Sequence, residues 1–236
     1  RRDQILDNKD VWQALWNDYY SRVVMATKDY RSTIGYETIN EPNSESGTYD
    51  SSLSYNNYIG LGNYNAFITS KIESLIGTKN NKVIIINDIH AMWSDPNRLN
   101  NIRYIVTPTV DVLRQLGYTD TEISKKLMFG THPYPAPDSN GNFPQSKITD
   151  IAKIKQSVNL ELFVGEWNND GTRDLTPEFI TSALNAFKEL RVGWTFFPYD
   201  PIYRSSLKNS YYNWKTDAYG RRYVDMLRDA IKRVYI

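Results

Sequence analysis

The sequence predicts an α/β fold built on a parallel sheet, and three observations predict it. Short apolar segments alternate with helical patterns along the chain. The clearest of them, Lys82-Val83-Ile84-Ile85-Ile86-Asn87-Asp88, is a continuous β-branched run, which is how a strand buried on both faces of a parallel sheet reads. Four of the five strand segments end, on their C-terminal side, in polar or aromatic residues. A chain of 236 residues lies in the single-domain range of an α/β barrel, so one domain over residues 1–236 is expected.

Each element has its own signal. Residues 10–29 read as a helix, because Val11/Trp12, Leu15/Trp16, Tyr19/Tyr20 and Val23/Val24 recur every four residues as one apolar stripe, with Asp10 as N-cap. A strand over 34–39 follows, then a stretch rich in Ser, Asn and Gly. A second helix spans 55–76, with Tyr58, Ile59, Phe67, Ile68, Ile72, Leu75 and Ile76 on its buried side and Gly77 as its stop. After the strand at 82–88, a loop holds His90 and Trp93, and short helices are expected near 109–116 and 120–126. A strand over 126–130 leads into Thr131-His132-Pro133-Tyr134-Pro135. The pattern continues with a helix near 146–157, a strand over 160–165 ending in Glu166-Trp167-Asn168, and a helix from Thr176 to about residue 191. A strand over 192–197 and a closing helix near 217–233 complete it.

Composition excludes several function classes. With 28 basic and 27 acidic side chains the net charge is +1, and no run of one sign supplies the basic patch that nucleic acid or an anionic membrane needs. The absence of cysteine excludes disulfides, zinc-thiolate sites and a cysteine nucleophile. No GxGxxG follows a strand and no GxxxxGK[ST] occurs, so a nucleotide-dependent α/β enzyme lacks its phosphate loop. The 18 Tyr, 6 Trp and 8 Phe provide many flat faces with polar handles, which suit sugars, bases and protein surfaces alike.

The polar strand ends are Asn40-Glu41, Asn87-Asp88, His132/Tyr134 and Glu166-Trp167-Asn168. The fifth strand carries Trp194 and is followed by Tyr199-Asp200. In a parallel barrel these C-terminal ends converge on one mouth, where barrel enzymes keep their sites. Glu41 and Glu166 are then the important pair, since a carboxylate at a strand mouth is poor packing material. Two carboxylates flanking a cleft are the equipment for glycosidic bond cleavage. One protonates the leaving oxygen, and the other attacks the sugar or activates water.

Asn40-Glu41-Pro42 on one strand, His132-Pro133-Tyr134 on the next but one, Glu166 after Phe163-Val164-Gly165, and Trp194 on the last strand together resemble the cellulase-type glycoside hydrolases of family 5. That family is a TIM (β/α)8 barrel with its acid/base on strand four and its nucleophile on strand seven. The resemblance implies that Glu41 is the general acid/base and Glu166 the nucleophile of a retaining mechanism. It implies that Asn40 binds the sugar 2-hydroxyl, that His132 sits near the acid/base, that Tyr134 donates to the nucleophile, and that Trp194 floors the reacting subsite. His90, Trp93, Trp167, Asn168 and Tyr199 are expected to line further subsites. Neither a cofactor nor a metal is expected.

The same register implies that the chain supplies about strands four to eight, because one helix precedes the strand of Glu41 where three βα units belong. The first three strands are expected from a separate N-terminal piece. The expected substrate is β-linked polysaccharide, most simply a β-1,4-glucan, with a secreted location following from it. β-Mannanase, exo-β-1,3-glucanase and endoglycoceramidase chemistry are alternatives within the family, and a non-catalytic carbohydrate-binding protein is the alternative outside it.

Overall fold

The computed structural model describes residues 8–40, 42, 55–89, 93, 97–167, 175–196 and 223–236. The chain divides into two compact units, residues 1–130 with 154–162 and residues 131–153 with 163–236. Five strands, β1 (Gly35–Glu37), β2 (Val83–Asn87), β3 (Leu127–Thr131), β4 (Glu161–Val164) and β5 (Gly193–Trp194), follow one another in the sheet in that order. The paired strands are parallel: Tyr36 faces Ile84, Ile86 faces Phe129, and Val164 faces Trp194. These are the five segments the apolar runs predict. β1 and β5 are shorter than the expected 34–39 and 192–197, although Ile34 O, Thr38 N and Thr195 N still bond across to the neighbouring strands, and Phe197 lies outside the described residues.

In the first unit, α1 (Lys9–Leu15), a π-helical turn (Trp16–Tyr20) and α2 (Ser21–Thr27) run end to end. Asn8, not Asp10, is the N-cap: its side chain accepts from the Asp10 and Val11 amides at 3.0 and 3.3 Å. The π turn breaks the four-residue stripe. Trp12, Trp16 and Val24 are buried, whereas Tyr19 and Val23 are exposed, and the Tyr20 hydroxyl reaches the backbone beyond β1.

Helix α3 (Tyr55–Ile76) buries Tyr58, Leu61, Tyr64, Ile68 and Ile72 and is followed by Gly77 at φ +88°, the left-handed stop the sequence predicts. Helix α4 runs over Arg98–Gln115, far longer than the expected 109–116, with Pro108 inside it. Proline reads as a boundary because it cannot donate to the carbonyl four residues back. Here that carbonyl, Tyr104 O, approaches Gly62 of α3 so closely that a Cβ at position 62 would stand 1.9 Å from it. Burial of Ile102, Ile105, Val106 and Leu113 holds the helix through the proline.

Helix α5 (Asp120–Lys126) opens with a capping box, in which Thr119 N donates to Glu122 Oε2 at 2.7 Å and Glu122 N to Thr119 Oγ1 at 3.3 Å. It ends at Lys126, whose ammonium is buried 2.7 Å from Glu73 Oε1. Asn80 Nδ2 and the Tyr118 hydroxyl also donate to the Glu73 carboxylate, so this buried charge is fully engaged. Lys126 immediately precedes β3 in the chain.

In the second unit, Phe143, Trp167, Phe179 and Phe187 form an aromatic core with ring centroids 5.2–5.7 Å apart. Helix α6 (Gln145–Val158) lies between β3 and β4 in sequence. Helix α7 (Pro177–Leu190) is capped by Thr176, which accepts from Phe179 N at 3.1 Å. Helix α8 (Tyr223–Tyr235) packs on α7, with Val234 O accepting from Lys188 Nζ and Tyr235 donating to Leu184 O at 3.4 Å. No helix among the described residues is long and apolar enough to cross a membrane.

Candidate active site

The C-terminal ends of β3 and β4 are joined by one backbone bond, from Gly165 N to Thr131 O at 3.1 Å. On the other side the Thr195 hydroxyl donates to Gly165 O, and Thr195 N donates to Val164 O at 2.9 Å. The peptide before Glu166 is therefore held from both neighbouring strands. His132 lies directly over this peptide. A Cβ on Gly165 would stand 2.7 Å from His132 Nε2, inside van der Waals contact, so the imidazole occupies space that only glycine leaves.

Tyr134, two residues further on, donates its hydroxyl to Glu166 Oε2 at 2.5 Å. His132 Nδ1 stands 3.9 Å from the same oxygen, beyond hydrogen-bond reach. Both contacts of Glu166 among the described residues thus fall on Oε2. The carboxylate remains 18% exposed, while His132 is buried. The result is a carboxylate oriented through one oxygen by a neutral phenol and open to solvent. That arrangement suits attack on an electrophilic carbon.

The structure brings His132, Tyr134 and Glu166 together, as the strand-end argument expects. It gives Trp167 another place. Trp167 is fully buried, edge-on to Phe187 at 5.2 Å and Phe196 at 5.1 Å. It is a core residue, where a subsite residue was expected. Trp194 packs edge-on to Trp167 at 5.9 Å and donates through Nε1 to the Tyr235 hydroxyl of α8 at 3.0 Å. Its indole contacts Trp167 and Tyr235 and stays half-buried. Alternation along the chain accounts for Trp194: it shares one face with Phe196, and Thr195 takes the other.

Asn40 lies exposed beyond β1 in the first unit, and Trp93 in the same unit is half-buried. Glu41, His90, Asn168 and Tyr199 lie outside the described residues. Sequence reasoning missed Gly165 and Thr195. The signal for Gly165 was a glycine interposed between an apolar strand and its terminal glutamate.

The family model for cellulase, glycosyl hydrolase family 5, matches residues 4–201. The chain belongs to this family. Solved structures of family 5 share its fold at low identity. One is a family 5 glycoside hydrolase from Prevotella bryantii in complex with a xyloglucan tetradecasaccharide: TM-score 0.61, 14% identity, with 97% of this chain and 65% of that chain covered. A broad-specificity endoglucanase from Clostridium cellulovorans matches with TM-score 0.63 and 14% identity, over 99% of this chain and 68% of that one. An endo-β-1,4-glucanase from Xanthomonas axonopodis pv. citri matches with TM-score 0.57 and 14% identity, over 99% and 67%. Among curated proteins none matches. The five parallel strands of this family 5 chain correspond to part of the (β/α)8 fold, and the chain spans about 65% of the length of the Prevotella enzyme.

Proposed function

We propose that this chain carries the two catalytic carboxylates of a retaining β-glycanase, with a β-1,4-glucan as its substrate. The observation that carries the reading is the 2.5 Å bond from Tyr134 to Glu166 Oε2 at the end of β4, in a chain of family 5. In the first step Glu166 bonds to the anomeric carbon through its other oxygen. The glycosidic C–O bond breaks, and Glu41 gives its proton to the leaving oxygen. In the second step water attacks the anomeric carbon, Glu41 takes the water's proton, and Glu166 leaves as a carboxylate. The glycosyl-enzyme neutralises Glu166, which lowers the proton affinity of Glu41 and converts it from acid to base. Tyr134 holds Oε2 throughout, and Asn40 binds the 2-hydroxyl.

The same reading supplies a partner. Among the described residues β1 ends the sheet, and Tyr19, Tyr30 and Ile34 are exposed on the elements around it, Ile34 at 75%. Three N-terminal βα units would cover these groups and supply the remaining strands, whether within one longer chain or as a separate piece. The xyloglucan and broad-specificity relatives support a glucan substrate and an endo mode, and secretion would follow from a polymeric substrate.

The test is made on the complete barrel with cello-oligosaccharides. The β-anomer should appear first, and Glu166→Gly should lose activity and regain it with azide as an α-glycosyl azide. Binding of the oligosaccharides with no new reducing ends would favour a carbohydrate-binding protein instead.

A further inference from the structure

Beyond β1 the chain leaves the sheet through Thr38 and Ile39 to reach Asn40 and Glu41, and this short exit is held from several sides. Thr38 N donates to Ile85 O at 3.0 Å. Thr38 O accepts from the Tyr20 hydroxyl at 2.5 Å and from the Tyr64 hydroxyl at 3.3 Å. The Thr38 hydroxyl donates to Asn65 Oδ1 at 2.7 Å. Burial pushes both phenols above their ordinary range, so they stay protonated donors.

The last hold is Asn87. Its Nδ2 donates to Ile39 O at 2.7 Å and to the Glu37 carboxylate. Both partners are acceptors, which fixes the orientation of the amide. Asn87 is almost fully buried, and the facing strand makes room for it: a Cβ on Gly130 would stand 1.9 Å from Asn87 Oδ1. Ile39 lies past the β1–β2 ladder, so its carbonyl needs a partner other than a strand, and Asn87 provides it.

We propose that Asn87 is a positioning residue, fixing the backbone immediately before Asn40 and Glu41 through its bond to Ile39 O. Through that bond it sets the reach of the acid/base toward the glycosidic oxygen. The inference rests on the reading of Glu41 given above. It places no contact between Asn87 and the sugar.

The test uses Asn87→Leu and the isosteric Asn87→Asp in the complete enzyme. Asn87→Leu should lower kcat by about tenfold to a hundredfold, with KM little changed. Asn87→Asp should be equally impaired near neutral pH, where its carboxylate repels Glu37 and donates nothing. It should recover relative to the parent as the pH falls and the carboxyl becomes a donor, whereas Asn87→Leu should not. Parental kcat in Asn87→Leu, or identical pH profiles for the two variants, would overturn the proposal.

Amide hydrogen exchange separates this outcome from failure of the functional reading. If the parent hydrolyses no glucan, the reading of Glu41 fails, while the clamp is still decided by exchange at residues 38–40. Those amides should exchange faster in Asn87→Leu while the amides of β2 stay protected. Unchanged exchange there would overturn the clamp itself.

Discussion

Tyr134 Oη and Glu166 Oε2 stand 2.5 Å apart, joined across the ends of two strands whose own backbone is tied by the Gly165–Thr131 bond. The bond fixes which carboxylate oxygen is occupied, and in the proposed reaction the other oxygen meets the substrate. Removing the donor with Tyr134→Phe should lower kcat by about tenfold to a hundredfold, the range expected for losing a hydrogen bond to a charged group. Steady-state kinetics on cello-oligosaccharides, with circular dichroism to confirm the fold, checks this.

Gly165→Ala should displace His132. The added methyl would lie 2.7 Å from Nε2, and both neighbouring strands hold the peptide that carries it. Overpacking of this kind costs about 1–3 kcal/mol. Thermal unfolding should show the loss of stability, and activity should fall beyond what that loss explains, because the ring beside Glu166 has moved.

The buried Lys126–Glu73 pair should behave asymmetrically. Lys126→Met leaves the Glu73 carboxylate buried without its cation and should destabilise by about 3–5 kcal/mol. Adding Glu73→Gln should restore much of that, since Asn80 and Tyr118 keep a polar partner. Denaturant unfolding of both single variants and the double variant measures the coupling.

Glu122 makes a pH prediction. Bonds from the Thr119 amide and hydroxyl, and then Lys79, hold its carboxyl down at about 2, below the ordinary 4.5. A depressed folded value contributes stability above the unfolded value. That contribution is lost as the pH falls from about 4.5 toward about 2. The melting temperatures of the parent and Glu122→Gln should therefore differ at pH 6 and converge near pH 2.

Much of this architecture was legible because period and punctuation carry it. Short apolar runs marked the strands, and the resemblance to family 5 implied the contact of Tyr134 with Glu166. Other features depend on tertiary contacts. Pro108 reads as a helix boundary, yet the close approach of Tyr104 O to Gly62 and the buried residues on either side carry α4 through it. Trp194 and Trp167 were expected in the sugar site. Period-two patterning shows that residues alternate between faces but not which face meets the helices, and Tyr235 and Phe187 decide that. The π turn at Trp16–Tyr20, which breaks the stripe in the fold, has no signal in the four-residue spacing of the sequence, although it accompanies the Tyr20 contact with Thr38.

In the proposed reaction Glu166 becomes covalently bonded to the sugar. Incubating the complete enzyme with a 2-deoxy-2-fluoro-β-cellobioside bearing a good leaving group, followed by intact mass and peptide mapping, tests it most directly. One fluorocellobiosyl group per enzyme is expected, attached to Glu166 and absent in Glu166→Gln. A label on another carboxylate, or hydrolysis with inversion and no label at all, would contradict it.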